Sequence, residues 1–187
     1  MSAEVGAREA ATLRTRQSLV EAAAAVFVER GVQAPVREVA ARAGVGVGTV
    51  YRHFPDRAEL VVAVYRHQID ACVDLAEELA RSPEPVRALE TWIDAFVEFL
   101  VTKHGLGAAL QSDEAGFHGL PALMLDKLVP ACGLLVDAAV ARDELDPTLT
   151  SHALMRAVGN LCILGPGYGR ADARAMVDRL LVGCRRT

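Results

Sequence analysis

Residues 36–54 read VREVAARAGVGVGTVYRHF, and this stretch decides how the amino-terminal part of the chain folds. It reads as two short helices, one ending near Ala43 and one covering about residues 47–54. Pro35 suits the start of the first helix, because the first N–H groups of a helix lack a partner within the helix. The joining residues Ala43-Gly44-Val45-Gly46 allow a tight turn, and two helices joined in this way are typical of a helix-turn-helix.

The second of these helices carries the side chains that indicate a function. Helical spacing predicts that four of its residues are buried, namely Val47, Val50, Tyr51 and Phe54. Its polar face offers Thr49, Arg52 and His53, whose hydrogen-bonding groups suit phosphates and base edges. Gly48 leaves room for close approach of a backbone, and Arg57 follows just beyond the helix.

Outward from this segment, apolar residues recur at three- and four-residue steps without a convincing alternating strand pattern. The predicted fold class is therefore all-α, with eight or nine helices. We expect a flexible tail over residues 1–11 and a first helix over about 12–30. That helix places Leu19, Ala23 and Phe27 on one face, and Gly31 follows as its C-cap.

The fourth helix is expected to begin at Asp56, with Glu59 completing a capping-box pattern, and to run to about Ala80. Six residues form a stripe along it at alternating four- and three-residue steps: Val61, Tyr65, Gln68, Cys72, Leu75 and Leu79. After the break at 82–85, a fifth helix carries two stripes, which indicates packing on two sides. These stripes are Leu89-Ile93-Val97-Leu100 and Trp92-Phe96-Phe99.

The bounds of the later helices are predicted from residues that typically start or end a helix. Gly105 and Gly107 are expected to end the fifth helix, and residues 106–119 are expected to form one short helix and a glycine-rich loop. A helix over about 121–142 contains Pro130, which predicts a kink or a break there. Asp146-Pro147 predicts the start of the next helix, which would end at Gly165-Pro166-Gly167. A last helix is expected over about 171–184.

Composition limits the possible classes of protein. The chain has 187 residues, of which 52% are hydrophobic, so intrinsic disorder is not expected. No apolar run approaches the roughly 18 residues of a membrane span, and residues 1–16 contain no apolar core segment, so we expect neither a membrane span nor a secretory signal. The net charge is −4, but residues 1–57 hold eight arginines against six acidic residues, so only this part is basic. Four widely spaced cysteines (Cys72, Cys132, Cys162 and Cys184) indicate reduced thiols in a cytoplasmic protein rather than a metal site or disulfides.

The run from Val36 to Phe54, continued by Asp56-Arg57-Ala58-Glu59-Leu60, resembles the DNA-binding domain of the TetR family of bacterial transcriptional regulators. The resemblance covers about residues 12–65. It implies a DNA-binding domain over 12–55 and a helical domain for ligand binding and dimerisation over 56–187. The implied DNA contacts are Arg16, Arg37, Gly46, Val47, Gly48, Thr49, Tyr51, Arg52, His53 and Arg57. Gly46 and Ala34 stand where the family usually has Ser and Thr, which predicts weaker backbone contacts.

The family also implies a homodimer on a near-palindromic double-stranded operator and a small effector, expected here to be apolar or aromatic. Candidate pocket residues are Trp92, Phe96, Phe99, Phe117, Met124, Leu128 and Met155. The apolar content of the last two helices indicates dimerisation through Leu149, Ala153, Leu154, Ala157, Leu161, Leu164, Met176, Val177, Leu180 and Leu181.

Other functions remain as alternatives. An enzyme is disfavoured, because the chain contains no nucleophile elbow, P-loop or dinucleotide fingerprint. His104, His118 and His152 lack metal-ligand spacing, so we expect neither a metal nor a cofactor. The sign of regulation is open: repression relieved by ligand is the main hypothesis, and a ligand-dependent activator or a dimeric adaptor without DNA binding are the alternatives.

Overall fold

A computed structural model describes residues 2–110 and 120–186, with side chains for residues 6–100 and 120–186. Within these residues the chain forms eight helices, and its β-pairing is limited to isolated bridges, which confirms the all-α fold class. The helices are α1 (Ser2–Arg30), α2 (Val36–Arg42), α3 (Val47–His53), α4 (Arg57–Leu79), α5 (Pro85–Leu110), α6 (Leu120–Ala141), α7 (Ser151–Leu161) and α8 (Arg170–Gly183).

The helices group into two compact units, which divide inside α4 between His67 and Gln68. The first unit contains α1, α2, α3 and the beginning of α4. The second contains the rest of α4, α5 as far as Gly107, and α6 to α8. The division by function into residues 12–55 and 56–187 stays a prediction.

In the first unit, α1 packs on α2 and α2 packs on α3. The predicted face of α1 is confirmed, since Leu19, Ala23 and Phe27 are all buried. Val39 on α2 and Val50 on α3 join this core. Burial of these residues in the core stabilises α2 and α3, because helices of two turns are too short to be stable alone.

Helix α1 begins at Ser2, ten residues before its predicted start at Thr12. Its first half is rich in alanine, arginine and glutamate, which all favour helix, so regular backbone continues without a core to pack against. Residues 6–9 are exposed, and burial begins at Leu19. The prediction of a flexible tail over residues 1–11 is therefore wrong for the residues from Ser2 onward, which continue the helix.

In the second unit, α5 is buried on two sides as its paired stripes predicted. The seven residues of these stripes are all buried: Leu89, Trp92, Ile93, Phe96, Val97, Phe99 and Leu100. Helix α6 packs on α7, and α7 packs on α8. Three arginines of the carboxy-terminal segment form ion pairs with acidic residues of α5, namely Arg170 with Glu98, Arg174 with Asp94, and Arg185 with Glu90.

The buried face of α4 differs from the predicted stripe. Leu75 and Leu79 are only half-buried, whereas Ile69 and Ala76 are buried. The beginning of α4 lies in the first unit and the rest in the second. Different neighbours therefore cover the two parts, and a single stripe along the whole helix is the wrong description.

Two predicted helix breaks do not occur. Helix α5 continues through Gly105 and Gly107 to Leu110, because a glycine lowers helix stability by only about 1 kcal/mol and does not remove a hydrogen bond. Helix α6 is continuous across Pro130, so the alternative of a break at this proline is wrong.

Helix α7 begins at Ser151, capped by Thr150, rather than after Asp146-Pro147. The Asp146 carboxylate accepts hydrogen bonds from the amide and the hydroxyl of Thr148, at 2.8 and 2.7 Å. Leu149 N donates to Asp146 O, which closes a turn with proline at its second position. The aspartate therefore stabilises a turn instead of a helix start, and Thr150 Oγ1 accepts from Ala153 N. Helix α7 also ends at Leu161, before the predicted Gly165.

None of the helices in the described part of the chain combines the length and apolar character that crossing a membrane requires. Among the side chains described for residues 6–100 and 120–186, no group of three histidines, cysteines or acidic residues is placed to hold a metal ion.

Candidate DNA-binding surface

The turn between α2 and α3 has the geometry of a Schellman motif. Gly44 adopts a positive φ of 68°, which favours glycine because a side chain would be strained there. Gly44 N donates to Ala41 O at 3.2 Å, and Val45 N donates to Ala40 O at 3.0 Å. These bonds satisfy the last carbonyls of α2 and direct the chain into α3.

Helix α3 has an inner and an outer face. Val50 and Phe54 are separated by one turn, and both are buried. Val47 and Tyr51 are also separated by one turn, but their side chains are 39% and 50% exposed. The prediction that all four residues are buried is therefore wrong for Val47 and Tyr51, because a helix this short is covered on only one side.

The predicted contact residues of α3 lie mostly on the outer face. Gly46, Val47, Gly48, Tyr51 and Arg52 are exposed, whereas Thr49 and His53 are half-buried. Arg37 on α2 is exposed as well. We call these eight candidate contact residues, seven at α3 and one on α2, the α3 surface. The outer face of α3 contributes a guanidinium, a phenol, a hydroxyl and an imidazole, while its inner face is buried in the first unit. These hydrogen-bonding groups suit the phosphates and base edges of DNA.

Neither Gly46 nor Gly48 is required by the packing of the first unit. A Cβ atom placed on either residue meets no atom within 4 Å, and neither residue has a positive φ. Gly46 also provides no side-chain cap to α3. Bare backbone at these two positions instead leaves space on the outside of the protein, where another molecule can approach closely.

Two arginines predicted to face phosphates contact the protein itself. Arg57 donates to Val32 O and, at 2.6 Å, to Ala34 O, which ties the start of α4 to the loop before α2. Arg16 Nη1 donates to His53 O at 2.9 Å. Its guanidinium carbon also lies 4.3 Å from the centre of the Phe54 ring.

The predicted pocket residues lie mainly in the interior of the second unit. Trp92 stacks on Phe96 with ring centres 5.4 Å apart, and Phe96 on Phe99 at 6.3 Å. Trp92 Nε1 donates to Cys72 O at 2.8 Å. The other described candidates are less uniform: Leu128 and Met155 are buried and Met124 is half-buried. Phe117 lies outside the described residues.

Gln68 is the polar member of the predicted stripe of α4. Its side-chain Oε1 is inaccessible to solvent and has no hydrogen-bond partner in the described part of the chain. Buried polar atoms usually have a partner, so this amide is a candidate contact for a bound molecule. Gln68 lies one turn before Cys72, whose carbonyl binds Trp92. The sequence could have indicated this candidate, because a glutamine stands among the apolar residues of the predicted α4 stripe.

The predicted dimer residues divide into two groups. Leu154, Val177 and Leu181 are buried within the second unit, because α7 and α8 pack on each other. The remaining seven reach the surface at least in part: Leu149, Ala153, Ala157, Leu161, Leu164, Met176 and Leu180. We call these seven residues the α7/α8 face. Ile163 and Val182, which the prediction omitted, are 60% and 64% exposed.

The thiols are neutral and largely shielded. Cys72, Cys132 and Cys162 are buried and Cys184 is half-buried. All four are free thiols that form no disulfide. Burial raises the pKa of Cys72 to about 11 and, with the nearby charge of Asp137, that of Cys132 to about 12. Burial likewise raises the pKa of Tyr65 to about 12. A raised thiol pKa disfavours the reactive thiolate, as expected for structural cysteines.

Known proteins resemble this chain at two levels. Residues 19–64 match the family profile described as bacterial regulatory proteins, tetR family, which covers α2, α3 and parts of α1 and α4. The transcriptional repressor LfrR of Mycolicibacterium smegmatis is 38% identical over 87 residues, which is 46% of this chain and 43% of that protein. The transcriptional activator FasR of the same organism is 36% identical over 87 residues, 46% of this chain and 40% of its own. The chain thus matches less than half the length of these curated relatives.

Solved structures extend the likeness to nearly the whole chain. A TetR transcriptional regulator of Mycobacterium vanbaalenii is 29% identical with a TM-score of 0.72, over 95% of this chain and 99% of that one. The TetR regulator SCO0520 of Streptomyces coelicolor is 31% identical with a TM-score of 0.76, over 92% of this chain and 99% of its own. Since sequence and fold agree over almost the full length of this last protein, the chain belongs to the tetR family of bacterial regulatory proteins.

Proposed function

We propose that this protein is a sequence-specific DNA-binding transcriptional regulator. The observation that carries the proposal is the α3 surface, in which a short helix is anchored by Val50 and Phe54 and exposes Tyr51 and Arg52 on its other side. The open space at Gly46 and Gly48 supports close approach of a phosphate backbone. The family membership and the regulators among its relatives support the same function.

The proposed active form is a homodimer that binds a near-palindromic operator. A two-fold dimer presents two identical α3 surfaces, and an inverted repeat presents two identical half-sites about 34–36 Å apart, one helical turn of DNA. The α7/α8 face is the proposed contact between the two copies. Its apolar side chains are incompletely covered within one chain.

The proposed output is repression that a small molecule relieves. The aromatic stack of α5 and the unpartnered Oε1 of Gln68 favour an apolar or aromatic effector with one hydrogen-bonding group. Helix α4 belongs to both units, and we propose that this shared helix couples effector binding to operator binding. Effector and operator would then weaken each other's binding, typically by 1–3 kcal/mol.

Activation is the second candidate for the output, because FasR, one of the relatives, is named as an activator. Both outputs require specific DNA binding, so the same first experiment applies. A dimeric adaptor without DNA binding is the alternative in which the α3 surface has no nucleic-acid partner.

The test is a selection of bound sequences from random duplex DNA with the purified full chain at moderate salt. We expect enrichment of an inverted repeat whose half-sites lie about one helical turn apart. Folded protein that enriches no sequence would contradict the proposal and favour the adaptor. Transcription in vitro from a promoter containing the enriched repeat then separates a repressor from an activator.

A further inference from the structure

Helix α3 has only seven residues, so its orientation depends on contacts with other elements. At its amino end Gly46 provides no side-chain cap. At its carboxyl end Phe54 N donates to Val50 O, after which the chain leaves helical geometry with φ −137° and ψ 88° at Phe54. The last carbonyls of a helix lack partners within the helix, and the His53 carbonyl is one of them.

Arg16 of α1 supplies that partner. Its Nη1 donates to His53 O at 2.9 Å, across 37 residues of chain. The same guanidinium covers the ring of Phe54, with 4.3 Å between its central carbon and the ring centre. A cation at this end also interacts favourably with the partial negative charge of the helix carboxyl terminus. One side chain of α1 thus contacts both the end of α3 and the buried anchor that follows it.

We propose that Arg16 is a positioning residue, which sets the orientation of α3 for recognition of the operator and does not contact a DNA phosphate. This inference rests on the proposed DNA-binding function, and it reverses the role that the sequence resemblance implied for Arg16. Arg16 combines one guanidinium face on an aromatic ring with one N–H on a carbonyl, and lysine cannot fully reproduce this pair of contacts.

A positioning role and a phosphate contact have different salt signatures. Each phosphate contact contributes about 0.9 to the slope of log affinity against log salt concentration. Loss of such a contact weakens binding to every DNA sequence and lowers this slope. Misorientation of α3 instead weakens binding to the operator, where side chains must meet particular bases, and leaves the number of phosphate contacts unchanged.

The test compares wild type with Arg16→Gln, Arg16→Lys, Arg14→Gln and Arg37→Gln. Affinity is measured from 50 to 300 mM KCl for the inverted repeat enriched by wild type and for a random duplex of equal length. Arg14→Gln is the matched control, an exposed arginine on the same helix. Arg37→Gln is the comparison for a lost phosphate contact, since Arg37 is an exposed candidate contact on α2. Circular dichroism checks the helical content of each variant.

For Arg16→Gln we expect about tenfold weaker operator binding, less than twofold change on random duplex, and an unchanged salt slope. Arg16→Lys should recover part of the operator affinity, because it keeps the charge and a donor without the planar face. Arg14→Gln should match wild type. A slope lowered by about 0.9 per lost contact, with equal losses on both duplexes, would overturn the proposal, as would unchanged operator affinity.

Hydrogen exchange of the free protein tests the contact without DNA. Arg16→Gln should speed exchange of the amides in residues 47–54 more than that of residues 19–27. If the amides of residues 47–54 exchange at the same rate in Arg16→Gln as in wild type, the proposal is overturned. If wild type enriches no DNA sequence, the proposed function fails. The exchange data still decide separately whether Arg16 holds the end of α3.

Discussion

Tyr51 illustrates at the residue scale how exposure separates side chains that can bind DNA from those that form the core. It lies one turn after Val47 on the outer face of α3, whereas Val50 and Phe54 fill the inner face. The identity of these residues predicted a helix-turn-helix, but both apolar pairs have helical spacing. Which pair is buried depends on where α2 lies, which periodicity in a seven-residue helix does not specify.

We expect Tyr51→Ala or Arg52→Ala to abolish operator binding in a gel shift while the protein stays folded. Both side chains are exposed, so truncation leaves no cavity, and surface substitutions change the free energy of unfolding by about 0.5 kcal/mol or less. Urea unfolding and the gel shift are measured on the same preparations. Normal operator binding by both variants would contradict their assignment to the α3 surface.

Gly48→Ala should affect stability and DNA binding in opposite directions. Glycine within a helix lowers the free energy of unfolding by about 0.5–1 kcal/mol relative to alanine. A Cβ at residue 48 has open space around it. We therefore expect a higher free energy of unfolding together with weaker operator binding, because the new methyl group would lie between α3 and DNA. Gly159→Ala on α7, where a Cβ also meets no atom, is the control that should leave DNA binding unchanged.

At the scale of single helices, the start of α7 shows how a local turn competes with a cap. Asp146-Pro147 has the composition of a helix start, but its carboxylate binds Thr148 and closes a turn. The helix starts later, where Thr150 Oγ1 accepts from Ala153 N at 3.2 Å. Both arrangements satisfy the same types of hydrogen bond, so residue preferences alone do not select between them.

This capping assignment predicts that Thr150→Ala lowers the free energy of unfolding by about 1 kcal/mol, the usual effect of losing an N-cap side chain. Thr150→Ser should retain most of the stability, since serine is an equally good cap. Urea denaturation followed by circular dichroism measures both. A destabilisation of Thr150→Ser equal to that of Thr150→Ala would show that the hydroxyl bond to Ala153 is not the cause.

At the scale of the whole molecule, assembly is predicted to depend on the α7/α8 face. Introducing charge with Ala153→Glu and Met176→Glu should convert the dimer into a monomer, because two like-charged copies of the face would meet at a two-fold interface. Both positions are exposed, so the chain itself should remain folded. Sedimentation equilibrium at micromolar concentration measures the mass, and Leu134→Glu, on an exposed position of α6, is the control that should remain dimeric.

The buried thiols and Tyr65 predict loss of stability in alkali. Their pKa values are raised from 9.0 to about 11 for Cys72, from 9.0 to about 12 for Cys132, and from 10.0 to about 12 for Tyr65. Above pH 9 the unfolded chain therefore releases protons that the folded chain retains. The free energy of unfolding should be at its full value below pH 9 and fall as the pH rises through 11 to 12.

Urea titrations at pH 7.5, 9 and 10.5 test this. For each protein, the free energy of unfolding at the higher pH values is compared with that of the same protein at pH 7.5. Cys132→Ala should show a smaller decline than wild type, because one of the raised thiol groups has been removed. A free energy of unfolding that does not change between pH 7.5 and 10.5 would contradict the prediction.

Local sequence is sufficient to predict the features that depend on neighbours along the chain. These include the all-α class, the glycine turn at Gly44, the bounds of α2 and α3 to within about one residue, and the two buried stripes of α5. Each follows from helical spacing or backbone preference over a few residues, which is local physics. The family resemblance over residues 12–65 rests on the same local pattern and is confirmed.

Packing between helices selects which of several locally equivalent arrangements is present. It placed Tyr51 outside and Val50 inside, and it buried Leu154, which had been expected at a dimer interface. It also brought Arg16 to the end of α3, 37 residues away in the sequence. Arginine suits a phosphate, a carbonyl and an aromatic ring equally well, so only the packing of α1 against the other helices decides which partner it meets.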